Sequence, residues 1–254
     1  FILRKKLFSH ESDVVMGKTN RLATRIAIKI FTGWPSEFYP QVPTDKIIYT
    51  GIPVREEFFQ ISPLQAKETL HLKERTVLFL WGGSQGALQI NQFVENNLEK
   101  LLEDYQIIHL CGETSFAKLQ KMRERLPQDL QKDYHLYSFS QEIPTLLQAA
   151  DIVISRAGAT SLAEIAACQK PAIIIPYPFA SLDHQRKNAH ILGQSQAAII
   201  LDPNDLTDEK LFHIIGELSK DQKRQKSLIS HLAQFNPQGA TEKIIQEIGK
   251  IYEN

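Results

Sequence analysis

Residues 151–167 read DIVISRAGATSLAEIAA. A short apolar run, DIVI, breaks at Ser155 into small residues and restarts at once as a helical pattern with Leu162, Ile165 and Ala166 on one side. Two readings of the break compete. Ser161 and Glu164 have the S-x-x-E spacing of a capping box, which would satisfy the first N–H groups of a helix. Alternatively, the small-residue turn between strand and helix leaves those groups open to a phosphate. Glu164 sits one helical turn past Ser161 and can face the same side. A carboxylate is poorly placed beside phosphates but well suited to the vicinal hydroxyls of a ribose.

The same device recurs to either side. Apolar, β-rich runs occur at Thr76–Trp81, Gln106–Cys111, His135–Phe139, Asp151–Ser155, Pro171–Pro176 and Ala197–Leu201, with helical segments between them. That alternation predicts a parallel sheet with helices on both faces, an α/β Rossmann-like fold. The first run ends in LFLWGGSQGALQIN (78–91). Its glycines permit a sharp turn and close approach to a ligand, and Ser84 and Gln85 add hydrogen-bonding side chains. No lysine follows the glycines as in a Walker loop, and the spacing is not G-x-G-x-x-G. The fifth run leads into IIIPYPFASLDHQRKNA (173–189), where Asp183, His184, Gln185 and Asn188 cluster before a helix. Three polar loops leaving one edge of a parallel sheet point to a phosphate-and-sugar ligand. No D-x-D pair and no zinc spacing occurs, so neither a metal nor another cofactor is expected.

The 254 residues carry 29 basic and 29 acidic side chains, a formal net charge of zero, which argues against a nucleic-acid partner. The two cysteines, Cys111 and Cys168, form no C-x-x-C pair and read as reduced core thiols of a cytoplasmic protein. No apolar run approaches the length of a spanning helix. The first 60 residues stand apart. SHESDVVMGKTNRLATRIAIKIF (9–31) predicts a loop and then a helix with an apolar side of Leu22, Ile26 and Ile30 and a basic side of Lys18, Arg21, Arg25 and Lys29. Such a helix either packs on a body or lies on a membrane. TGWPSEFYPQVPTDK (32–46), with three prolines and a glycine, reads as a linker. Helices are expected over about 205–219, 222–234 and 240–252.

HESDVVMGKTNRLA (10–23), TGIPVR (50–55), GGSQGALQIN (82–91), SRAGATSLAEIAA (155–167) and PYPFASLDHQRKNA (176–189), in this order, resemble the MurG family of N-acetylglucosaminyltransferases, which complete lipid II in cell-wall synthesis. The resemblance runs from about residue 8 to the end. It implies the C-terminal half of a GT-B fold, two Rossmann-like domains across a cleft, with a remnant of the N-terminal one. The corresponding division is 1–60 for the end of the acceptor domain and linker, 61–238 for the UDP-sugar domain, and 239–254 for a terminal helix.

The resemblance places Ser84 and Gln85 at the diphosphate, Arg55 at the nucleotide, and the main chain near Ser140 at uracil. Ala159, Thr160 and Ser161 then run along the phosphates and sugar, Glu164 takes the ribose, and His184 and Gln185 read the N-acetylglucosamine with Asn188 in support. Ile52 stands where the family has a polar residue, and Asp13 where some members have asparagine. The implied activity is inverting transfer from UDP-GlcNAc to a lipid-diphosphate acceptor on the inner face of the plasma membrane. The general base and acceptor site belong to a preceding domain. On that basis the isolated chain is expected to be inactive, with residues 1–40 poorly anchored. A subunit of a split transferase and a non-catalytic UDP-sugar-binding module are the alternatives.

Overall fold

The computed structural model describes residues 5–83, 86–235 and 238–253. The chain opens with a small parallel sheet. Strands β1 (Phe8–Glu11), β2 (Lys29–Thr32) and β3 (Ile47–Tyr49) lie in that order, with helix α1 (Lys18–Ala23) between the first two. Two short helices follow, α2 (Glu57–Gln60) and α3 (Pro63–Thr69), the latter started by a capping box at Ser62 and Gln65. The larger part then alternates: β4 (Val77–Trp81), α4 (Leu88–Asp104), β5 (Gln106–Leu110), α5 (Glu113–Arg125), α6 (Gln128–Gln131), β6 (Tyr134–Tyr137), α7 (Ile143–Ala149), β7 (Ile152–Ser155), α8 (Ala159–Ala167), β8 (Ala172–Ile174), α9 (His184–Gln194) and β9 (Ile199–Ile200). Helices α10 (Asp208–Lys220), α11 (Gln222–Leu232) and α12 (Ala240–Glu253) close the chain.

All neighbouring strands of the larger sheet are parallel, and their order is β6-β5-β4-β7-β8-β9. Strands buried on both faces need continuous apolar sequence, and VLFLW of β4 is buried throughout. Its Val77, Phe79 and Trp81 face one core layer with Val153 and Ile165. Leu78 and Leu80 face the other with Ile90, Ile107 and Ile154. Winding starts at β4 and proceeds outward in both directions, so the order reverses between β4 and β7. In such sheets the ligand crevice opens outside the carboxyl ends at that point. The register fixes its level. Trp81 pairs with Leu110 and Ser155, and Ser155 pairs with Ile174, so four loops leave the sheet along one line. Cys111 and Cys168 are buried, form no disulfide, and have thiols pushed up by burial to about 11 and about 12.

The N-terminal region differs from the sequence reading in three respects. Helix α1 ends at Ala23, where the Lys46 ammonium donates to the Thr24 carbonyl at the helix's negative end. Ile30 therefore belongs to β2 and is fully buried, while Leu22 and Ile26 are 65% and 59% exposed. The Leu22–Ile26–Ile30 period was that of a helix, but pairing of β2 with strands on both sides takes Ile30 into the sheet. Residues 32–46 are no linker: Trp34, Tyr39 and Val42 are buried in the core of the small sheet. The Trp34 indole donates to Ser12 O at 2.9 Å and the Tyr39 hydroxyl to Asp13 O at 2.8 Å. Residues 8–40 are thus anchored by a sheet and core of their own, contrary to expectation.

Candidate functional site

The crevice has three walls, one from each polar loop. The first follows β4. Gly83 and Gly86 have φ of +78° and +74°, which side chains other than glycine's adopt at a cost. A Cβ on Gly86 would stand 2.4 Å from the Cys111 carbonyl oxygen, and one on Gly82 would stand 2.2 Å from the Ala87 nitrogen. Ser84 and Gln85, assigned to the diphosphate by resemblance, lie outside the described residues. Helix α4 begins after Ala87 with no side-chain cap, so among the described residues nothing takes its first N–H groups at the crevice.

Behind this turn is a polar network that the sequence reading missed. The Asn91 amide donates to Cys111 O and to Ser115 Oγ, both at 2.8 Å. Its Oδ1 must then accept from His109 Nε2 at 3.0 Å, and Nδ1 accepts from the Tyr134 hydroxyl at 2.9 Å. Burial pushes the imidazole down to about 3, so it is neutral at physiological pH. The carbonyl held by Asn91 is the one against which Gly86 lies.

The second wall follows β7. Gly158, not Ser161, is the N-cap of α8, and no side chain caps the helix. The capping box, one of the two readings of the S-x-x-E spacing, is therefore absent. Gly158 and Ala159 are small enough for the helix to start three residues early, which moves Ser161 inside it. The N–H groups of Ala159, Thr160 and Ser161 point out of its positive end, while that of Leu162 is taken by Gly158 O. Ala159 is buried, Thr160 exposed and Ser161 half-buried.

Glu164 is half-buried one turn on, and its carboxyl has no hydrogen-bond donor among the described residues. Burial pushes it up to about 7, with the Arg55 guanidinium pulling the other way. Arg55 itself is exposed, lies over the Phe58 ring at 5.3 Å and donates to Gln141 O at 3.3 Å. It thus joins the chain after β3 to the loop holding Ser140, whose hydroxyl accepts from Glu142 N at 3.0 Å. Arg55, Ser140 and Glu164 share one side of the crevice.

The third wall follows β8. Leu182 and Asp183 are both left-handed, with φ of 54° and 57°, immediately before α9. His184 Nδ1 donates to the Ser181 carbonyl within this turn, 2.7 Å away. Gln185 Oε1 accepts from Tyr177 N at 2.9 Å and Ala157 N at 3.2 Å. Two N–H partners identify that atom as oxygen, so Gln185 has only its amide N–H groups left for a ligand. Asn188 is fully buried: Oδ1 accepts from Val14 N at 3.0 Å, and Nδ2 donates to Asp13 Oδ1 at 2.8 Å and Ala157 O at 3.1 Å. Its bonds go to the protein, and they seat Asp13, just after β1, against the turn that follows β7.

Arg156 was also passed over in the sequence, although a cation among small residues directly after a buried strand is an available signal. It is buried, and among the described residues its guanidinium bonds only to neutral acceptors. No group of three or more His, Cys, Asp or Glu able to hold a metal ion is found among the described residues. No helix among them is long and apolar enough to cross a membrane.

Residues 77–244 match the family model described as Glycosyltransferase family 28 C-terminal domain. A protein of Bacillus cereus (strain ATCC 14579), named UDP-N-acetylglucosamine--N-acetylmuramyl-(pentapeptide) pyrophosphoryl-undecaprenol N-acetylglucosamine transferase 2, is 34% identical over 250 residues. The match covers 97% of this chain and 68% of the relative. A transferase of the same name, without the final numeral, from Desulfitobacterium hafniense (strain Y51) is 34% identical over 85% of this chain and 60% of its own length. Among solved structures, Acinetobacter baumannii MurG superposes with a TM-score of 0.72 over 98% of this chain and 68% of that one, at 23% identity. Anabaena HepE in complex with UDP-glucose gives 0.63 over 98% and 73%, at 17% identity. These two speak for the fold alone. This chain spans about two thirds of the length of such relatives, and on the family match and the curated relatives together it belongs to glycosyltransferase family 28, whose C-terminal domain it carries.

Proposed function

We propose that this chain is the donor half of an inverting transferase that moves N-acetylglucosamine from UDP-GlcNAc to a lipid-linked diphosphate, the reaction for which its curated relatives are named. One observation carries the reading. Two helices without side-chain caps, α4 and α8, begin at the switch point, and a half-buried carboxyl without a donor stands one turn along the second. Open helix N-termini suit a diphosphate. A carboxylate that still lacks donors suits the two ribose hydroxyls.

In this reading the larger sheet and its helices form the donor domain over residues 61–238, and residues 1–60 belong to the acceptor side. The nucleotide lies along the walls described, with Arg55 and the main chain near Ser140 at the base, Glu164 at the ribose, and Ala159, Thr160 and Ser161 along the phosphates. Gln185 and His184 meet the sugar, and Asn188 acts through Asp13 and Ala157. The acceptor hydroxyl attacks the anomeric carbon as the bond from that carbon to the diphosphate oxygen breaks. UDP leaves with the electron pair, stabilised by the α4 and α8 N–H groups, and a general base outside the residues assigned here takes the hydroxyl proton. The cleft continues past Asp183 as a cavity of about 550 Å³ bounded by Val14 and Phe38 of the small sheet, which gives the acceptor room to approach. Leu22 and Ile26, exposed among Lys18, Arg21 and Arg25, support peripheral contact with the inner membrane surface.

Calorimetry of the chain with UDP-GlcNAc in EDTA tests the reading. One-to-one binding without metal is expected. Binding that requires added magnesium, or no binding at all, sinks it.

A further inference from the structure

Arg156 is buried to 7% exposure with no carboxylate in ion-pairing distance among the described residues. A buried, unpaired cation costs several kcal/mol unless its donors are well satisfied. Here they are satisfied by groups from two other loops. Nη1 donates to the carbonyls of Ile175 at 3.1 Å and Pro176 at 3.2 Å, at the exit of β8. Nη2 donates to Gln89 Oε1 at 3.2 Å, and the guanidinium lies 5.6 Å from the centre of the Tyr177 ring.

Gln89 is the second residue of α4, so its backbone N–H is one of those that nothing takes among the described residues. Tyr177 is the residue whose N–H is held by Gln185. A guanidinium is a rigid planar fork, able to hold two partners at a set spacing in a way that an ammonium on a flexible stem is not. The bonds therefore run without a gap from the first turn of α4, through Arg156, to the loop carrying Gln185.

We infer that Arg156 is a positioning residue which fixes the distance between the phosphate-facing start of α4 and the sugar-facing loop 176–185. The inference rests on the donor reading above. A ligand that touches only the phosphate end does not sense that distance. A ligand that spans both ends does. Arg156 thus tunes the site to a nucleoside diphosphate bearing a sugar over the bare nucleoside diphosphate.

The test measures dissociation constants of UDP and UDP-GlcNAc for the 254-residue chain and for Gln89→Met and Arg156→Lys. Gln89→Met removes one arm of the fork at a partly exposed position, so it keeps the test alive if Arg156→Lys fails to fold. The expected result is a loss of about tenfold for UDP-GlcNAc, the scale of one hydrogen bond to a charged group. UDP changes less than about twofold, and the thermal midpoint of Gln89→Met stays near that of the parent. Equal losses for both ligands, or no loss for either with the fold intact, overturn the role of Arg156. A parent chain that binds neither ligand overturns the donor reading instead.

Discussion

Glu164 combines burial with an absence of donors, and its chemistry follows from that pairing. The folded chain holds its proton up to about pH 7, whereas an unfolded chain releases it near 4.5. Between those values the folded state binds more protons, so this group's contribution to stability is full below 4.5 and is lost as pH rises to 7. A ligand whose hydroxyls donate to the carboxylate reverses that preference, since it selects the ionised form. UDP affinity should therefore rise about tenfold between pH 6 and pH 8. Glu164→Gln should flatten the profile, and calorimetry at the two pH values in buffers of differing ionisation enthalpy reads both the affinity and the released proton. An affinity independent of pH would mean that the ribose is held elsewhere. Glu164 stood out in the sequence because a carboxylate directly after a small-residue turn has few structural uses. Whether Ser161 caps the helix was not legible, because S-x-x-E is the same four letters whether the serine precedes the helix or lies within it. Only the backbone at Gly158 decides.

The elements of the larger sheet were legible for a plain reason: both faces of each strand are buried, so the strands appear as apolar runs without alternation. The glycine turn and its backing network give two predictions at this scale. Gly83→Ala meets no neighbouring atom among the described residues and should cost mainly the penalty of its positive φ, about 1–2 kcal/mol. Gly86→Ala adds a clash with the Cys111 carbonyl and should cost more and also weaken UDP binding. Urea denaturation that ranks the two in the other order would count against this geometry. Asn91→Leu strands His109 Nε2 and the Cys111 carbonyl and should destabilise by about 2 kcal/mol. NMR of the His109 ring in the parent should show the neutral form protonated on Nε2 throughout the physiological range. This network was invisible in the sequence because its members lie 18 and 25 residues apart on three elements. The small sheet was misread for a related reason. Its strands are three or four residues long, and parallel partners are never adjacent in sequence.

At the scale of the molecule, Asn188 is where the two sheets are fastened. Asn188→Ala breaks three bonds, those to Val14 and Ala157 buried and that to Asp13 partly so, and should cost about 3 kcal/mol. Amide exchange should accelerate at Val14 in this variant while the N–H groups of β4 stay protected. Uniform acceleration would show that Asn188 serves the whole fold and not the junction. The chain also passes between the sheets twice, once from Thr50 to Glu56 and again where α12 leaves the larger part. On its return α12 rests on the small sheet: the Lys243 ammonium donates to Tyr49 O at 2.6 Å, and the Tyr252 and Phe8 rings stand 6.4 Å apart. Ile52 and Val54 of the first passage and Gln238 and Gly239 of the second line one cavity, so the passages run side by side. Each contains a glycine at positive φ, Gly51 at 82° and Gly239 at 80°. A single tether would let one body swivel freely on the other. Two tethers lying together restrict any such swivel to rotation about the line that joins them, a motion that the Asn188–Asp13 bond opposes.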